Sequence, residues 1–337
     1  MKRLAKKVVG VLLTAAMLYG CRGGEEACIE APRIDTLPQV TITRLEDSLF
    51  AARNPRQVLA FLRQHPVITR EFLGVAQYPS DTVLARELYR VISNPYSDSL
   101  LLDVKARFGD MQDLQQEFAR AFAYIKHYYP DFRIPQIQTL VTGFGSSELF
   151  VSDSLIIIGL DYYLGPQGRY RPQGIPQYIL KRFDKPYIVP AVVLLYADRF
   201  LRENPADKTM LADMIYYGKK YFFAKNMLPC TPDSLIIWYS GKELAEVQEN
   251  RHIIWYHFLE KELLYETNHL VKQKYIGERP KVYEIGPNCP GRIGAWLGWD
   301  IVRTYRQRHP QETIQQILTK PDARQILQGA KYNPLGS

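Results

Sequence analysis

One run of the chain sets the terms for the rest. From Tyr187 to Arg202 the sequence carries Ile188, Val189, Val192, Val193, Leu194, Leu195 and Tyr196, apolar almost all round. A helix of that kind is buried on every side. The fold must therefore supply layers around it. Helical patterns are available to do so. Pro55 to Gln64 carries Val58, Leu59, Phe61 and Leu62, and Thr82 to Ser93 carries Val83, Leu84, Leu88, Val91 and Ile92. Leu114, Phe118, Phe122, Ile125 and Tyr129 recur on one helical face, which Pro130 ends. Further helices are predicted over Asp207 to Met227, Lys242 to about Tyr275, Arg292 to Arg308, and two short stretches near Ile314 and Ala323.

The middle of the chain differs. Ile137 to Thr142, Leu149 to Ser152 and Leu155 to Gly159 are short and rich in β-formers, and Ser152-Asp153-Ser154 reads as a hairpin turn. The expectation is a predominantly helical α+β fold. A small antiparallel sheet near residues 137–159 is packed by helices. No internal repeat or low-complexity tract interrupts it. A chain with 46% hydrophobic residues can bury a sizeable core.

The first residues read as an export signal. Lys2, Arg3, Lys6 and Lys7 precede an apolar run from Val8 to Tyr19. At about 12 residues that run is short of the roughly 20 a bilayer span needs. It has the length of a signal-peptide core. Leu18-Tyr19-Gly20-Cys21 then fits a lipoprotein cleavage site. The reading is a lipoprotein signal peptide over 1–20, lipid attachment at Cys21, a flexible tether over 21–34 and a single domain over 35–337. Two acyl signals on one cysteine suffice for stable anchoring. Membrane contact is thus expected through the lipid, on the periplasmic side or at the outer membrane. Without the n-region the formal charge falls from +8 to +4. No dense basic patch remains, and nucleic acid is not expected as a partner.

Three further cysteines are Cys28, Cys230 and Cys289. An odd number cannot all pair internally. A Cys230–Cys289 bridge with Cys28 free is one reading, and three free thiols is the other. No CxxC occurs.

The six histidines are His65, His127, His252, His257, His269 and His309, and none sits in HExxH. Glu249 with His252 and Glu266 with His269 form two Glu-x-x-His pairs. Paired motifs of this kind hold di-iron sites when they face each other. On one continuous helix they would stand about 26 Å apart and read as solvated faces. His257 and Glu260 lie one turn apart. Gly143-Phe144-Gly145-Ser146-Ser147 is neither a dinucleotide fingerprint nor a nucleophile elbow. No metal, cofactor or catalytic set is assigned.

Several stretches together carry a resemblance. They are Leu160-Asp161-Tyr162-Tyr163-Leu164-Gly165, Met214-Ile215-Tyr216-Tyr217-Gly218-Lys219-Lys220 and Met227-Leu228-Pro229. Pro290-Gly291-Arg292-Ile293-Gly294-Ala295-Trp296-Leu297-Gly298-Trp299-Asp300-Ile301-Val302-Arg303 and Ala330-Lys331-Tyr332-Asn333-Pro334 follow. In this order they resemble the gliding motility-associated lipoprotein GldB family of the Bacteroidota, over nearly all of the mature chain. The resemblance implies association with the gliding machinery and the type 9 secretion system, although non-gliding members exist. It also suggests a degenerate zincin-like architecture. Laid over this chain, the HExxH positions fall near Leu195, Tyr196, Ala197, Asp198 and Arg199, and a later Glu falls near Tyr217. Asp198 is the one remaining ligand type, and no His lies from Tyr128 to Arg251.

The expectation is a non-catalytic scaffold or binding module whose partners are other envelope proteins. Arg292, Trp296, Trp299 and Asp300 are its candidate contacts, unless both tryptophans are core residues. An envelope hydrolase with an unrecognised site is the alternative. A solute-binding lipoprotein would need a repeated βα pattern, which the chain lacks.

Overall fold

The computed structural model describes residues 28–334. The signal peptide, Cys21 and the tether up to residue 27 lie outside the described residues. In chain order the helices are α1 (Glu46–Phe50), α2 (Pro55–Gln64), α3 (Asp81–Ile92), α4 (Pro95–Phe108), α5 (Gln112–Tyr128), α6 (Gln177–Leu180), α7 (Ile188–Ala197), α8 (Met210–Met227), α9 (Asp233–Ile237), α10 (Gly241–Glu249), α11 (Arg251–Glu260), α12 (His269–Ile276), α13 (Ile293–Arg308), α14 (Ile314–Thr319) and α15 (Ala323–Ala330). The strands are β1 (Ile42–Arg44), β2 (Gln136–Leu140), β3 (Leu149–Val151) and β4 (Leu155–Gly159).

Local chemistry explains most of the helix ends. Asn54 and Ser80 accept backbone N–H bonds from Gln57 and Val83 and so start α2 and α3. Thr209 caps α8 through the Ala212 N–H, which moves that helix start from the expected Asp207 to Met210. The expected face of α5 is the buried one, with Leu114, Phe118, Phe122 and Ile125 in the core.

The sheet departs from the expectation. It is mixed, in the order β1-β2-β4-β3. Only the β3–β4 hairpin is antiparallel, while β1 and β4 both run parallel to β2. The chain leaving β2 passes over β4, forms edge strand β3 and turns back into the middle. Both sheet faces are covered. Ile137, Ile156 and Ile158 belong to the main core with α5 and α7. Leu140 and Ile157 face a second core with α2 and α3. Runs buried on both faces are what a largely parallel sheet requires.

The predicted helix from Lys242 to Tyr275 is three helices. Asn250 ends α10 and precedes α11, Glu262 adopts a left-handed conformation, and Asn268 caps α12 with bonds from Leu270 and Val271 N–H. The two Glu-x-x-His pairs therefore do not share one rod. Among the described residues no group of three or more His, Cys, Asp or Glu stands where it could hold a metal ion.

The cysteines also pair differently from the Cys230–Cys289 reading. Cys28 is bonded to Cys230, and Cys289 is free. Beside the bridge, Ile29 N–H donates to the Pro229 carbonyl at 3.1 Å. The expected tether is thus tied to the domain within its own length. Cys289 sits in the turn that follows Val282, against α10 and α11. Burial pushes its thiol up to about 12.

The tightest crossing is between α8 and α13. A Cβ on Gly298 would overlap the Met214 carbonyl, and one on Gly218 would overlap the Gly298 carbonyl. The two backbones touch because neither residue has a side chain. Trp296 and Trp299 are 3% and 1% exposed, and Trp299 packs on Tyr221 with ring centroids 5.4 Å apart.

Gly298→Ala should therefore destabilise by about 3 kcal/mol, the upper end of ordinary overpacking costs, in a urea titration. Gly241→Ala, where a methyl group meets open space, should be neutral or slightly stabilising. Cys28→Ser should cost about 3–5 kcal/mol, because the bridge closes a separation of 202 residues. That difference should vanish when both proteins are unfolded in dithiothreitol.

Candidate functional site

A cavity of about 610 Å³ opens between the sheet edge and the helical layer. Ala191, Leu194 and Leu195 come from one face of α7, and Tyr217, Lys220 and Tyr221 from one face of α8. Both sets have i, i+3, i+4 spacing, so each is a single helical stripe. Gln273 and Ile276 of α12, Arg292 and Ala295 at the start of α13, and Leu149 of β3 complete much of the wall. Leu195 is 47% exposed at this opening. The helix that reads as apolar all round is thus buried on every side but one.

The polar part of the wall is a cluster around Trp238. Glu278 accepts two hydrogen bonds from Arg182, at 2.7 and 2.5 Å, and lies 3.5 Å from Arg292 Nε. Arg292 also donates to the Tyr221 hydroxyl at 3.2 Å and to the Ile237 carbonyl at 2.5 Å. Both guanidinium groups stack on the Trp238 ring, at 4.8 and 5.1 Å from its centroid. Such stacking is favourable for planar cations.

Burial pushes the Glu278 carboxyl upward. The Arg182 hydrogen bond and the charges of Arg292 and Arg182 outweigh it and hold the group below the usual range. Trp238 and Arg292 both have left-handed backbones, with φ of 63° and 60°. Non-glycine residues in that region carry strain of about 1–3 kcal/mol that the surroundings must hold in place. Both positions line the cavity wall.

Burial raises the Tyr163, Tyr187 and Tyr217 hydroxyls, so all three stay neutral at physiological pH. The described residues that line the cavity include no His, Cys, Ser or Thr. What this arrangement offers is an apolar slot with fixed charges at one end.

The four candidate contacts do not converge. Arg292 lies in this cavity and is 8% exposed. Trp296 and Asp300 border a separate hollow with Arg303 and Tyr332, where Tyr332 donates to Asp300 at 2.6 Å. Trp299 is interior, with the Arg303 guanidinium 3.7 Å from its ring centroid. Of the positions where the expected zincin-like register would put metal ligands, Leu195 and Tyr217 line the cavity. Tyr196 is buried and donates to the Ser152 carbonyl at 2.8 Å. Asp198 binds Lys220 at 2.9 Å and the Tyr216 hydroxyl at 2.6 Å, and Arg199 pairs with Asp153. Arg182, Trp238, Glu278 and Leu149 escaped the sequence reading. Each is single in its own segment, and only the fold brings them together.

The wall at β3 is held by the Leu160–Gly165 stretch. Asp161 accepts N–H bonds from Thr142 at 3.1 Å and Phe144 at 2.8 Å. The Tyr162 hydroxyl donates to the Phe144 and Ser146 carbonyls at 3.0 and 2.6 Å. These bonds fix the loop that delivers Glu148 and Leu149. Burial pushes the Asp161 carboxyl up to about 6, against the backbone donors that oppose it.

The native state therefore holds this proton more tightly than the unfolded chain, whose aspartates titrate near 3.9. The contribution of Asp161 to stability is greatest at low pH. It falls by about 3 kcal/mol as pH rises from about 4 through 6. The stability of Asp161→Asn relative to the native protein should rise by about that amount between pH 4 and 7. Denaturant titrations of both proteins across this range check it.

No helix among the described residues is long and apolar enough to cross a membrane. No curated protein and no solved structure matches the chain. The family model described as gliding motility protein GldB matches residues 27–334. That match spans nearly the whole chain and bears out the resemblance carried by the Pro290–Arg303 and Leu160–Gly165 stretches, so the protein belongs to the gliding motility protein GldB family.

Proposed function

We propose that this protein is a non-catalytic, lipid-anchored component of the envelope machinery for gliding motility and type 9 secretion. It acts there as a binding module for another envelope protein. The observation that carries this reading is the family match over residues 27–334. The cavity supports the binding role. Arg182, Glu278 and Arg292 are tied in ion pairs around Trp238, and its free surface is mainly apolar. The N-terminal Leu18-Tyr19-Gly20-Cys21 supports the anchor.

A fold descended from a zincin-type peptidase belongs to the same proposal. Leu195 and Tyr217 face the cavity at positions aligned to metal ligands. Neither side chain supplies a nitrogen or carboxylate to a metal.

Depletion of the protein tests the reading. Exported proteins in the culture medium are compared by mass spectrometry before and after depletion, and colony spreading is followed where the cell glides. Loss of type 9 cargo from the medium is expected, with rescue by the native gene. In the same strain Cys21→Ser should abolish labelling by an alkyne fatty acid. Unchanged cargo and unchanged spreading would remove the protein from the machine, and retained labelling would remove the anchor from Cys21.

A further inference from the structure

Strand β3 closes one side of the sheet and pairs only with β4. Gly159 N–H donates to the Glu148 carbonyl and Ser152 N–H to the Leu155 carbonyl, both at 2.9 Å. In an antiparallel pair the bonded residues alternate. The bonded partners are therefore 148 with 159, 150 with 157 and 152 with 155. Leu149 and Val151 lie between them and turn their N–H and C=O groups outward. Among the described residues nothing bonds to those four groups.

A bare edge is a template for a further strand. Natural edges are blunted by Lys, Pro or a covering element, and Glu148-Leu149-Phe150-Val151 has neither Lys nor Pro. Phe150 packs into the second core, whereas Leu149 stands in the cavity wall. The bare edge and the cavity are thus continuous.

The cavity wall also has a charge preference. Lys220 is tied to Asp198, which leaves Arg182 and Arg292 against Glu148 and Glu278. Glu148 is at the strand, and the Trp238 end has two guanidinium groups on one carboxylate. Its complement is a carboxylate. The slot leading there is lined by Leu194, Leu195 and Ile276.

We propose that an extended peptide segment of another protein adds to β3 as a new edge strand. It lowers one bulky apolar side chain into the cavity and brings one carboxylate towards Arg182 and Arg292. Main-chain bonds supply the affinity and alternate side chains the selectivity, as in other strand-addition sites. The inference names the partner for the binding-module reading above and rests on it.

The test uses the full-length lipoprotein in lipid nanodiscs. Phage-displayed random dodecapeptides are selected on it against empty nanodiscs, and the enriched peptide is made with a fluorophore. Enrichment of peptides pairing a large apolar residue with an Asp or Glu is expected. Anisotropy should show binding that weakens about tenfold with Leu195→Glu, a change at an exposed position that spares the core. Val151→Pro, which removes an outward N–H and leaves the ladder intact, should weaken it similarly. Replacing the peptide carboxylate by its amide should do the same. Hydrogen exchange at the Leu149 and Val151 amides should slow about tenfold or more on binding, a readout that loss of folding cannot mimic.

The proposal is overturned if no peptide is enriched, or if binding leaves both amides unprotected. It is also overturned if the protein self-associates through β3 and excludes every peptide. A bound peptide that is cut during the assay would leave strand addition standing and end the non-catalytic reading. Failure to bind peptides beside a secretion defect on depletion would do the reverse.

Discussion

The contact between Gly218 and Gly298 decides where everything else in the helical layer can stand. It lets α8 and α13 meet backbone to backbone, closer than any side chain allows. Arg292 sits just before α13, and its bond to the Tyr221 hydroxyl crosses the gap that this contact sets. The stripe of Tyr217, Lys220 and Tyr221 lies directly around Gly218 in sequence. The packing constraint and the cavity are thus the same stretch of helix seen from two sides. On the side of Gly218, Lys219 is buried and donates to the carbonyls of Arg202 and Lys320, joining α8 to the loop after α7 and to the end of α14. One Gly-Lys-Lys run therefore serves the crossing, an inter-helix bond and the cavity wall.

The polar cluster has a different logic. Two guanidinium groups sharing one carboxylate beside an indole ring are an expensive way to gain stability. Desolvation of the ions offsets much of the Coulombic gain, and an apolar substitute of equal volume is often as stable. The cluster also holds Trp238 and Arg292 in strained left-handed conformations. Two guanidinium groups that share a single carboxylate, with an apolar slot leading to them, are understandable when a second carboxylate belongs to a partner.

Much of this was legible in the sequence where the signal is local. The stripe of α5 and the β3–β4 hairpin follow from residues a few positions apart. Pairing across long separations was not. β1 has three residues and no pattern to announce it, and its partner β2 lies beyond five helices. Whether β2 and β4 run parallel is set by the crossover of the chain and not by the alternation of Ile156, Ile157 and Ile158. The break between α10 and α12 has no Gly or Pro to mark it. It rests on Asn250, Glu262 and Asn268, residues that helices tolerate elsewhere. The cavity is the extreme case, since β3, α7, α8, α12, α13 and the segment around Arg182 each bring residues to it. The glycines and tryptophans of the Pro290–Arg303 stretch describe the crossing and the core more than a surface.

The Cys28–Cys230 bridge changes what a lipid at Cys21 would mean. A free tether running to residue 34 would let the domain wander tens of ångströms from the membrane. With Cys28 fixed to the turn after α8, only six residues separate the bridge from Cys21, a reach of about 25 Å when fully extended. The C-terminal end of α8 is then the membrane-proximal end of the domain. Tyr221 is six residues back along that helix, about 9 Å. The cavity would therefore be held near the membrane surface and not out in the periplasmic space or the medium. With a lipid on Cys21, a partner segment emerging from the same membrane would have the shortest path to it, and the bridge, by shortening the leash, is what would set that distance.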